Sequence, residues 1–344
     1  MANQKLILAG FWNHTYCEES FSKQVNESGF DVIPFRMAKY FKGNWGKYFN
    51  AIPVPIGPML EINKDLLELV SSNDIHYIFL WNCNHILPST LRRLRKSGVK
   101  IITYNNDDPY GGVFRNKKPW LHVFQFFWFL RSLKFSDLIF VYRPINITEA
   151  SKFSHPSSQV KLFKPYFIPI IGKSPVAKED YEQDVVFIGH FEDDNRSEDL
   201  DYLFHNNIDL KVYGTGWFNS FSEHQESIYP LYGNDYIEAL KKSKICLCFL
   251  SKMNRDVYTR RCFEIPGLNK LLLCERTEEM LSILKEDKEA VYFNDKYELL
   301  NKIQWLLANP SKIDEIAEAG CKRLLDDGHD IKSRTAEILK NLEF

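Results

Sequence analysis

The alternation of short apolar runs with helix-like segments is the feature that most constrains how this 344-residue chain can fold. In the first half, apolar runs of strand length occur at 5–9, 31–35, 76–81, 99–104 and 136–142. Segments with helical apolar spacing, or with a proline near a helix start, separate these runs. Strands that alternate with helices form parallel βαβ units. The first half therefore predicts a doubly wound parallel sheet.

The second half repeats this alternation after a stretch that has no periodicity. Further strand-like runs lie at 184–188, 210–213, 245–250, 271–274 and 290–293. Three amphipathic segments, at 297–307, 313–326 and 331–342, predict helices that end the chain. The expected fold class is therefore α/β, with two Rossmann-like parallel-sheet domains that face a central cleft and a helical C-terminal tail.

The Pro-, Lys- and acid-rich stretch between the two series is typical of a domain boundary. We predict an N-terminal domain at 1–170, a linker at 171–183 and a C-terminal domain at 184–328. A final helix at 329–344 completes the chain, and its return to the N-terminal domain is left open.

The composition excludes several classes of protein. With 44 Lys and Arg against 45 Asp and Glu, the near-neutral chain is not that of a general nucleic-acid binder. Its seven cysteines lie mostly in or beside apolar runs and lack the spacing of a zinc site, so we interpret them as buried thiols of a reducing compartment. We find no signal peptide and no membrane-spanning run, and expect a cytoplasmic protein.

The segment 119–135 is apolar nearly all round and rich in Phe and Trp. A buried helix is the favoured interpretation, and a face that contacts a membrane surface or a partner is the alternative.

Charged residues concentrate in 254–279, the stretch that follows the strand at 245–250. Asp256 and Glu264 lie near Arg260 and Arg261 in this stretch. Carboxylates accept hydrogen bonds from sugar hydroxyls, and guanidinium groups bind phosphate. The pattern suits a nucleotide-sugar site, and surface ion pairs at a helix start are the alternative.

Glycine turns follow several predicted strands. Gly189, with Arg196 six residues further on, could present backbone amides and a cation to a phosphate. Gly214 lies in a second turn, which lacks the third glycine of a dinucleotide fingerprint. Gly10 ends the first strand, and His14 follows it on what would be the acceptor side.

Two acids, Asp107 and Asp108, follow the strand at 99–104. In open parallel sheets ligands bind beyond the carboxyl ends of the strands, so this position suits catalysis. A turn in which Asp side chains bond to backbone amides is the alternative.

Taken together, these residues resemble the CgeB-like (spore maturation protein CgeB) family of GT-B glycosyltransferases over nearly the whole chain. The most specific part is the block Arg-x-Phe-Glu-Ile-Pro at 261–266, with Lys-Glu-Ala-Val at 288–291 downstream. The chain departs from the family at 267–270, where Gly-Leu-Asn-Lys replaces the usual alanine-cysteine-glycine, and at 329–331.

The resemblance implies an N-terminal acceptor domain and a C-terminal domain that holds a nucleotide-diphospho-sugar, without a bound metal or other cofactor. In related retaining enzymes two glutamates seven residues apart contact the donor. Glu264 matches the one on the ribose, and Asp256 has the spacing of the one near the sugar. Arg196 and Arg261 would grip the diphosphate, and Asp108 would be the base if the enzyme inverts configuration.

The remaining predicted donor-binding residues are Tyr232, Tyr258 and Arg260. The expected reaction is transfer of a sugar to a hydroxyl of a glycan, a lipid-linked acceptor or another cell-envelope precursor. A catalytically silent nucleotide- or glycan-binding protein and a phage-type enzyme that glycosylates modified DNA bases are the alternatives. Donor sugar, stereochemical outcome, oligomeric state and peripheral membrane contact are left open.

Overall fold

The computed structural model describes residues 4–13, 15–111, 120–169, 181–217 and 228–342. Within these ranges the strands are β1 Gln4–Gly10, β2 Phe30–Arg36, β3 Tyr77–Trp81, β4 Lys100–Asn105, β5 Leu138–Val141, β6 Gln159–Leu162, β7 Gln183–Ile188, β8 Leu210–Tyr213, β9 Ser243–Cys248, β10 Leu271–Glu275 and β11 Val291–Phe293. They form two sheets, ordered β2-β1-β3-β4-β5-β6 and β11-β10-β9-β7-β8. Every described strand pair in both sheets is parallel.

Helices connect these strands. They are α1 Ser20–Glu27, α2 Gly43–Ala51, α3 Pro58–Ser71, α4 Pro88–Lys96, α5 Trp120–Gln125, α6 Phe127–Ser132, α7 Pro144–Ser151, α8 Arg196–His205, α9 Gly233–Lys241, α10 Arg261–Gly267, α11 Glu278–Ile283, α12 Lys296–Ala308, α13 Pro310–Asp326 and α14 Ile331–Lys340. Their starts follow local chemistry. Proline, which needs no amide partner, occupies the first turn of α3, α4, α7 and α13. At α12 the Asp295 carboxylate accepts from the amides of Tyr297 and Glu298.

The chain divides into two compact units, Met1–Lys164 with Thr335–Phe344, and Pro165–Arg334. Each unit has its own core, because strands covered on both faces bury nearly continuous apolar runs. In the first unit the central strands pack against α3 and α4 through Ile7, Ile78, Leu66 and Leu91. In the second, Phe187, Leu247 and Leu273 pack against the helices that follow.

The segment 120–132 differs from the single buried helix that the sequence predicts. It forms two short helices, α5 and α6, that meet at Phe126. Phe126 and Phe129 are buried, but Val123, Phe124 and Phe127 are exposed. The prediction of full burial is wrong for these three side chains, because they are 39–53% exposed while Phe126 and Phe129 face the core.

Two elements were not predicted. Strand β6 lies at a sheet edge and contains Gln and Lys, so it lacks the apolar run by which the other strands are recognised. Helix α2 lies inside 36–60, whose Gly, Pro and aromatic residues suggest irregular chain. Most of the predicted linker at 171–183, namely 171–180, lies outside the described residues.

Candidate functional site

Two glycine turns lie side by side at the carboxyl ends of β7 and β8. The Gly189 amide donates to Tyr213 O at 2.8 Å, and Trp217 Nε1 donates to Gly189 O at 2.9 Å. A Cβ atom on Gly214 would lie only 1.9 Å from Gly189 O, and Gly214 has a φ of +152°. The two turns are therefore packed so closely that position 214 needs a glycine.

Arg196, at the start of α8, is buried and bonded to its surroundings. Its Nε and NH2 donate to the two carboxylate oxygens of Asp194, each at 2.8 Å. NH1 donates to His190 O at 3.0 Å, and NH2 also donates to Leu250 O at 3.3 Å. The side chain thus joins the loop after β7 to the loop after β9. Its predicted role on the diphosphate stays a prediction.

Next to Arg196 lies a buried carboxylate, Glu192. It receives hydrogen bonds from Ser251 Oγ at 3.0 Å and contacts His190 Nε2 at 3.2 Å and Arg196 NH2 at 3.4 Å. Burial alone would raise the pKa of Glu192, but the bond from His190 and the charge on Arg196 together lower it. Glu192 is therefore held as a carboxylate beside an imidazole that is largely exposed.

The helix α10 brings together the charges singled out in the sequence. Glu264 Oε1 pairs with Arg260 Nε at 2.6 Å, and Oε2 accepts from the Tyr236 hydroxyl at 2.9 Å. Just before the helix, Thr259 Oγ1 accepts from the Arg261 amide at 3.1 Å, a local turn of the kind that threonine favours. Because α10 follows the carboxyl end of β9, this places a carboxylate and two guanidinium groups near one edge of the sheet.

Tyr236 is the member of this group that the sequence analysis missed. Burial and the neighbouring Glu264 carboxylate raise its pKa, so it remains a hydroxyl donor. It lies on α9, far from Glu264 in sequence, and the residues next to it in the sequence form no recognisable motif. Only the packing of α9 beside α10 could have indicated the contact.

The other predicted donor-side residues differ in exposure. Asp256 is half-buried, and its amide donates to Ser251 O at 2.9 Å. Tyr258 is buried with its ring edge against Phe263. Tyr232 is among the more exposed side chains of the described chain. Their contacts with a donor stay predictions.

In the first unit, Asp108 is fully buried. Its Oδ1 accepts from Asn146 Nδ2 at 3.1 Å and from the Tyr110 amide at 3.3 Å. The Asp107 amide donates to Asn105 Oδ1 at 3.0 Å. These bonds brace the turn after β4. The predicted use of Asp108 as a base would require this turn to open, and it stays a prediction.

Gly10 lies against a second acid that the sequence analysis did not select, Glu18. A Cβ atom on Gly10 would lie 2.5 Å from Glu18 Oε1, which also accepts from the Trp12 amide at 3.1 Å. Glu18 is buried at the end of β1. The other predicted acceptor-side residue, His14, lies outside the described residues.

A cavity of about 350 Å³ opens at the carboxyl ends of β9, β10 and β11. Its walls include Asp194, Asp199, Glu275, Lys252 and Lys296. Burial, and then the charge on Glu275, raise the pKa of Asp199 to about 6. Carboxylates predominate here, so the cavity suits a diphosphate less well than the surroundings of α10 do.

Within the described ranges, one set of side chains could hold a metal ion. The Sγ atom of Cys262 lies 3.8 Å from that of Cys248 and 3.7 Å from that of Cys274, and all three side chains are buried. Burial raises the pKa of Cys262 and Cys274. Hydrogen bonds between thiols account for these distances, which fits the interpretation of buried cysteines.

Residues 197–340 match the sequence profile of a family described as glycosyl transferase-like. The match extends from the first turn of α8 into α14 and includes the charged group of α10. No curated protein sequence matches the chain. Among the described residues, no helix is both long enough and apolar enough to cross a bilayer.

Solved structures resemble the chain over almost its whole length. Sucrose-phosphate synthase from Thermosynechococcus elongatus has a TM-score of 0.70 at 10% identity, over 99% of this chain and 98% of that one. Anabaena HepE in complex with UDP-glucose has a TM-score of 0.63 at 11% identity, over 99% of each chain. A Listeria monocytogenes protein proposed to be a UDP-N-acetylglucosamine 2-epimerase has a TM-score of 0.56 at 10% identity, over 99% and 96%.

At these identities the likeness concerns the fold. It confirms the predicted α/β class: two parallel sheets with helices, as in GT-B glycosyltransferases, and a helical C-terminal region. A fold does not by itself name a reaction, since these neighbours include a synthase and a protein proposed to be an epimerase.

Proposed function

We propose that this protein is a glycosyltransferase that moves a sugar from a nucleotide-diphospho-sugar to a hydroxyl of a glycan, a lipid-linked acceptor or another cell-envelope precursor. The observation that carries the proposal is the carboxylate of Glu264 paired with Arg260, on a helix that begins at Arg261 beyond the carboxyl end of β9. The match to glycosyl transferase-like sequences includes this helix. HepE, a neighbour in fold, binds UDP-glucose.

In this proposal the second unit holds the donor. Glu264 accepts hydrogen bonds from the ribose hydroxyls, and Arg261 neutralises charge on the departing diphosphate. The amides of the Gly189 turn could add further donors to the phosphates. Cationic side chains and amides then stabilise the leaving group, and the reaction needs no bound metal. A place within the CgeB-like family is part of the same proposal.

The first test is thermal unfolding in the presence of UDP, GDP, CMP and dTDP. A nucleotide that binds only the folded protein raises its stability, so one of the four should raise the melting temperature. Glu264→Ala should weaken binding of that nucleotide about 10- to 100-fold, because a charge-assisted hydrogen bond contributes about 1.5–3 kcal/mol. Glu278→Ala, an exposed glutamate in the first turn of α11, is the matched control.

The second test is sugar transfer or donor hydrolysis with the nucleotide-sugar so identified. Arg261→Ala should lower the rate, and treatment with EDTA should leave it unchanged. Activity that survives both Glu264→Ala and Arg261→Ala would refute the proposed mechanism.

A catalytically silent binding protein of the same fold is the second candidate. The observation that favours it is the state of Asp108, the predicted base. Its carboxylate is buried and bonded within the protein and does not face solvent. Nucleotide binding without any turnover, across a panel of nucleotide-sugars and acceptors, would decide for it.

A further inference from the structure

Exposed apolar side chains cluster in two short stretches of the first unit. The stretches run from 54 to 60 and from 123 to 127, and the side chains concerned are 37–53% exposed. They are Val54, Ile56, Leu60, Val123, Phe124 and Phe127. We refer to these six as the apolar surface. Single exposed apolar residues are ordinary, but a group of six on neighbouring segments marks an interaction site.

A direct contact joins the two stretches. Trp128 Nε1 donates to Pro53 O at 2.9 Å, so the loop before α3 lies against α6. The ring of Phe127 packs edge-on to that of Trp128, with centroids 4.9 Å apart, and the guanidinium of Arg131 lies 4.4 Å above the Phe127 ring. Segment 37–57 follows the carboxyl end of β2, and α5 lies between β4 and β5. The apolar surface therefore extends from the carboxyl-end side of the first sheet.

The two sequence segments that carry the apolar surface contain basic residues and no acidic ones, and the exposed Glu61 follows the first segment directly. The sequence contains no Asp or Glu between 32 and 60 or between 109 and 136, and these two segments hold nine Lys and Arg. The rest of the chain carries the other 35 Lys and Arg and all 45 Asp and Glu. A protein with a net charge of −1 thus confines a strong positive charge to the segments that expose apolar side chains.

We propose that the apolar surface binds the headgroup–acyl boundary of an anionic lipid bilayer. Aliphatic and aromatic side chains gain free energy when they enter that boundary, and Lys and Arg beside them are attracted by anionic headgroups. A nucleic acid would use the cations but would leave Val54, Ile56 and Leu60 without a partner, since its backbone is charged. A protein partner would need acidic residues around an apolar patch. An anionic bilayer presents negative headgroups and apolar acyl chains together.

This inference does not rest on the proposed transferase activity. The apolar surface belongs to the first unit, and the proposed donor residues belong to the second. Binding to a bilayer can be measured without a nucleotide, so failure of either proposal is visible separately. If both hold, an acceptor embedded in or attached to the bilayer is the natural substrate class.

The test is co-sedimentation of the full-length protein with two kinds of vesicle, phosphatidylcholine alone and phosphatidylcholine mixed with phosphatidylglycerol. The protein should sediment with the mixed vesicles and much less with phosphatidylcholine. Binding should weaken about fivefold for each exposed cation lost near the surface, so Arg131→Ala should show that loss and Lys288→Ala should not.

The apolar contribution is tested by Phe124→Ser combined with Phe127→Ser. We expect this double variant to lose most vesicle binding while its thermal unfolding changes little, since both side chains are exposed. Trp305→Ser with Leu325→Ser removes two comparably exposed side chains from the second unit and should bind as the parent does. Equal binding by the parent and the Phe124/Phe127 double variant would overturn the proposal. So would salt-sensitive binding to duplex DNA without any binding to vesicles.

Discussion

Gly214→Ala tests how tightly the two glycine turns of the second sheet are packed. The new methyl carbon would lie 1.9 Å from Gly189 O and 2.6 Å from Gly189 C. Carbon and oxygen atoms in contact are about 3.3 Å apart, so one turn must move by more than about 1 Å. That movement would pull Gly189 O away from Trp217 Nε1, which donates to it.

The expected cost has two parts. Overpacking of a filled site costs about 1–3 kcal/mol, and a side chain at a φ of +152° adds a strain of about 1–3 kcal/mol. We therefore expect Gly214→Ala to lower the free energy of unfolding of this unit by about 2–6 kcal/mol. Gly233→Ala is the matched control, because Gly233 also has a positive φ, +57°, but a Cβ atom there would meet nothing within 4 Å. It should cost about 1–2 kcal/mol.

The assay is urea unfolding followed by tryptophan fluorescence, with Trp217 as a reporter beside the altered turn. Nucleotide titration should also show a lower affinity for Gly214→Ala than for Gly233→Ala, at a urea concentration where both are folded. Equal unfolding midpoints for the two variants would refute the close packing of the turns. A large loss of stability with unchanged nucleotide affinity would refute a role for this edge in donor binding.

Three further predictions concern charge and hydrogen bonding in the second unit. In the folded protein the pKa of Asp199 is raised from 3.8 to about 6, because its ionised form is disfavoured there. The folded protein therefore loses stability as pH rises through that interval. Asp199→Asn should therefore stabilise the protein by about 1–2 kcal/mol above pH 7 in thermal or urea unfolding, after allowance for solvent screening, and by almost nothing at pH 4. Asp201→Asn, exposed on the same helix, is its control. Arg196→Met should cost about 3–5 kcal/mol of unfolding free energy, because it removes the cation that pairs with the buried Glu192 and the half-buried Asp194. Tyr236→Phe should weaken nucleotide binding by roughly fivefold in a titration, since Glu264 loses the hydrogen bond that orients it.

The fold was predictable because its signals are local. Strands such as β1 and β7 are short apolar runs that are buried along most of their length, so each can be recognised without knowledge of its neighbours. Strand β6 was missed because an edge strand needs fewer apolar residues. The break between α5 and α6 was missed for a related reason, since composition does not show which face of an aromatic helix remains uncovered.

The candidate site was only partly predictable. Glu264 and Arg260 are one helical turn apart, so their pairing follows from sequence spacing once the segment is helical. The contacts of Tyr236 with Glu264 and of Glu18 with Gly10 join different elements, and no local pattern encodes them. The same limit explains Arg196. Its sequence position suggests a phosphate ligand, but the surrounding Asp194, Glu192 and carbonyl groups are visible only in the fold.

The partners of Glu264 bear on how a donor could bind. An ionised carboxylate has two oxygens and about four lone-pair positions, so one bond from Arg260 and one from Tyr236 leave acceptor capacity for two ribose hydroxyls. Those two bonds also fix the carboxylate before a ligand arrives, which reduces the entropy lost on binding. Arg260 is about a third exposed and could turn toward a phosphate, whereas burial and the Glu264 carboxylate keep Tyr236 a hydroxyl donor to Glu264. The Tyr236 substitution therefore tests orientation of the carboxylate toward the ribose, and the Arg261 substitution tests stabilisation of the leaving group.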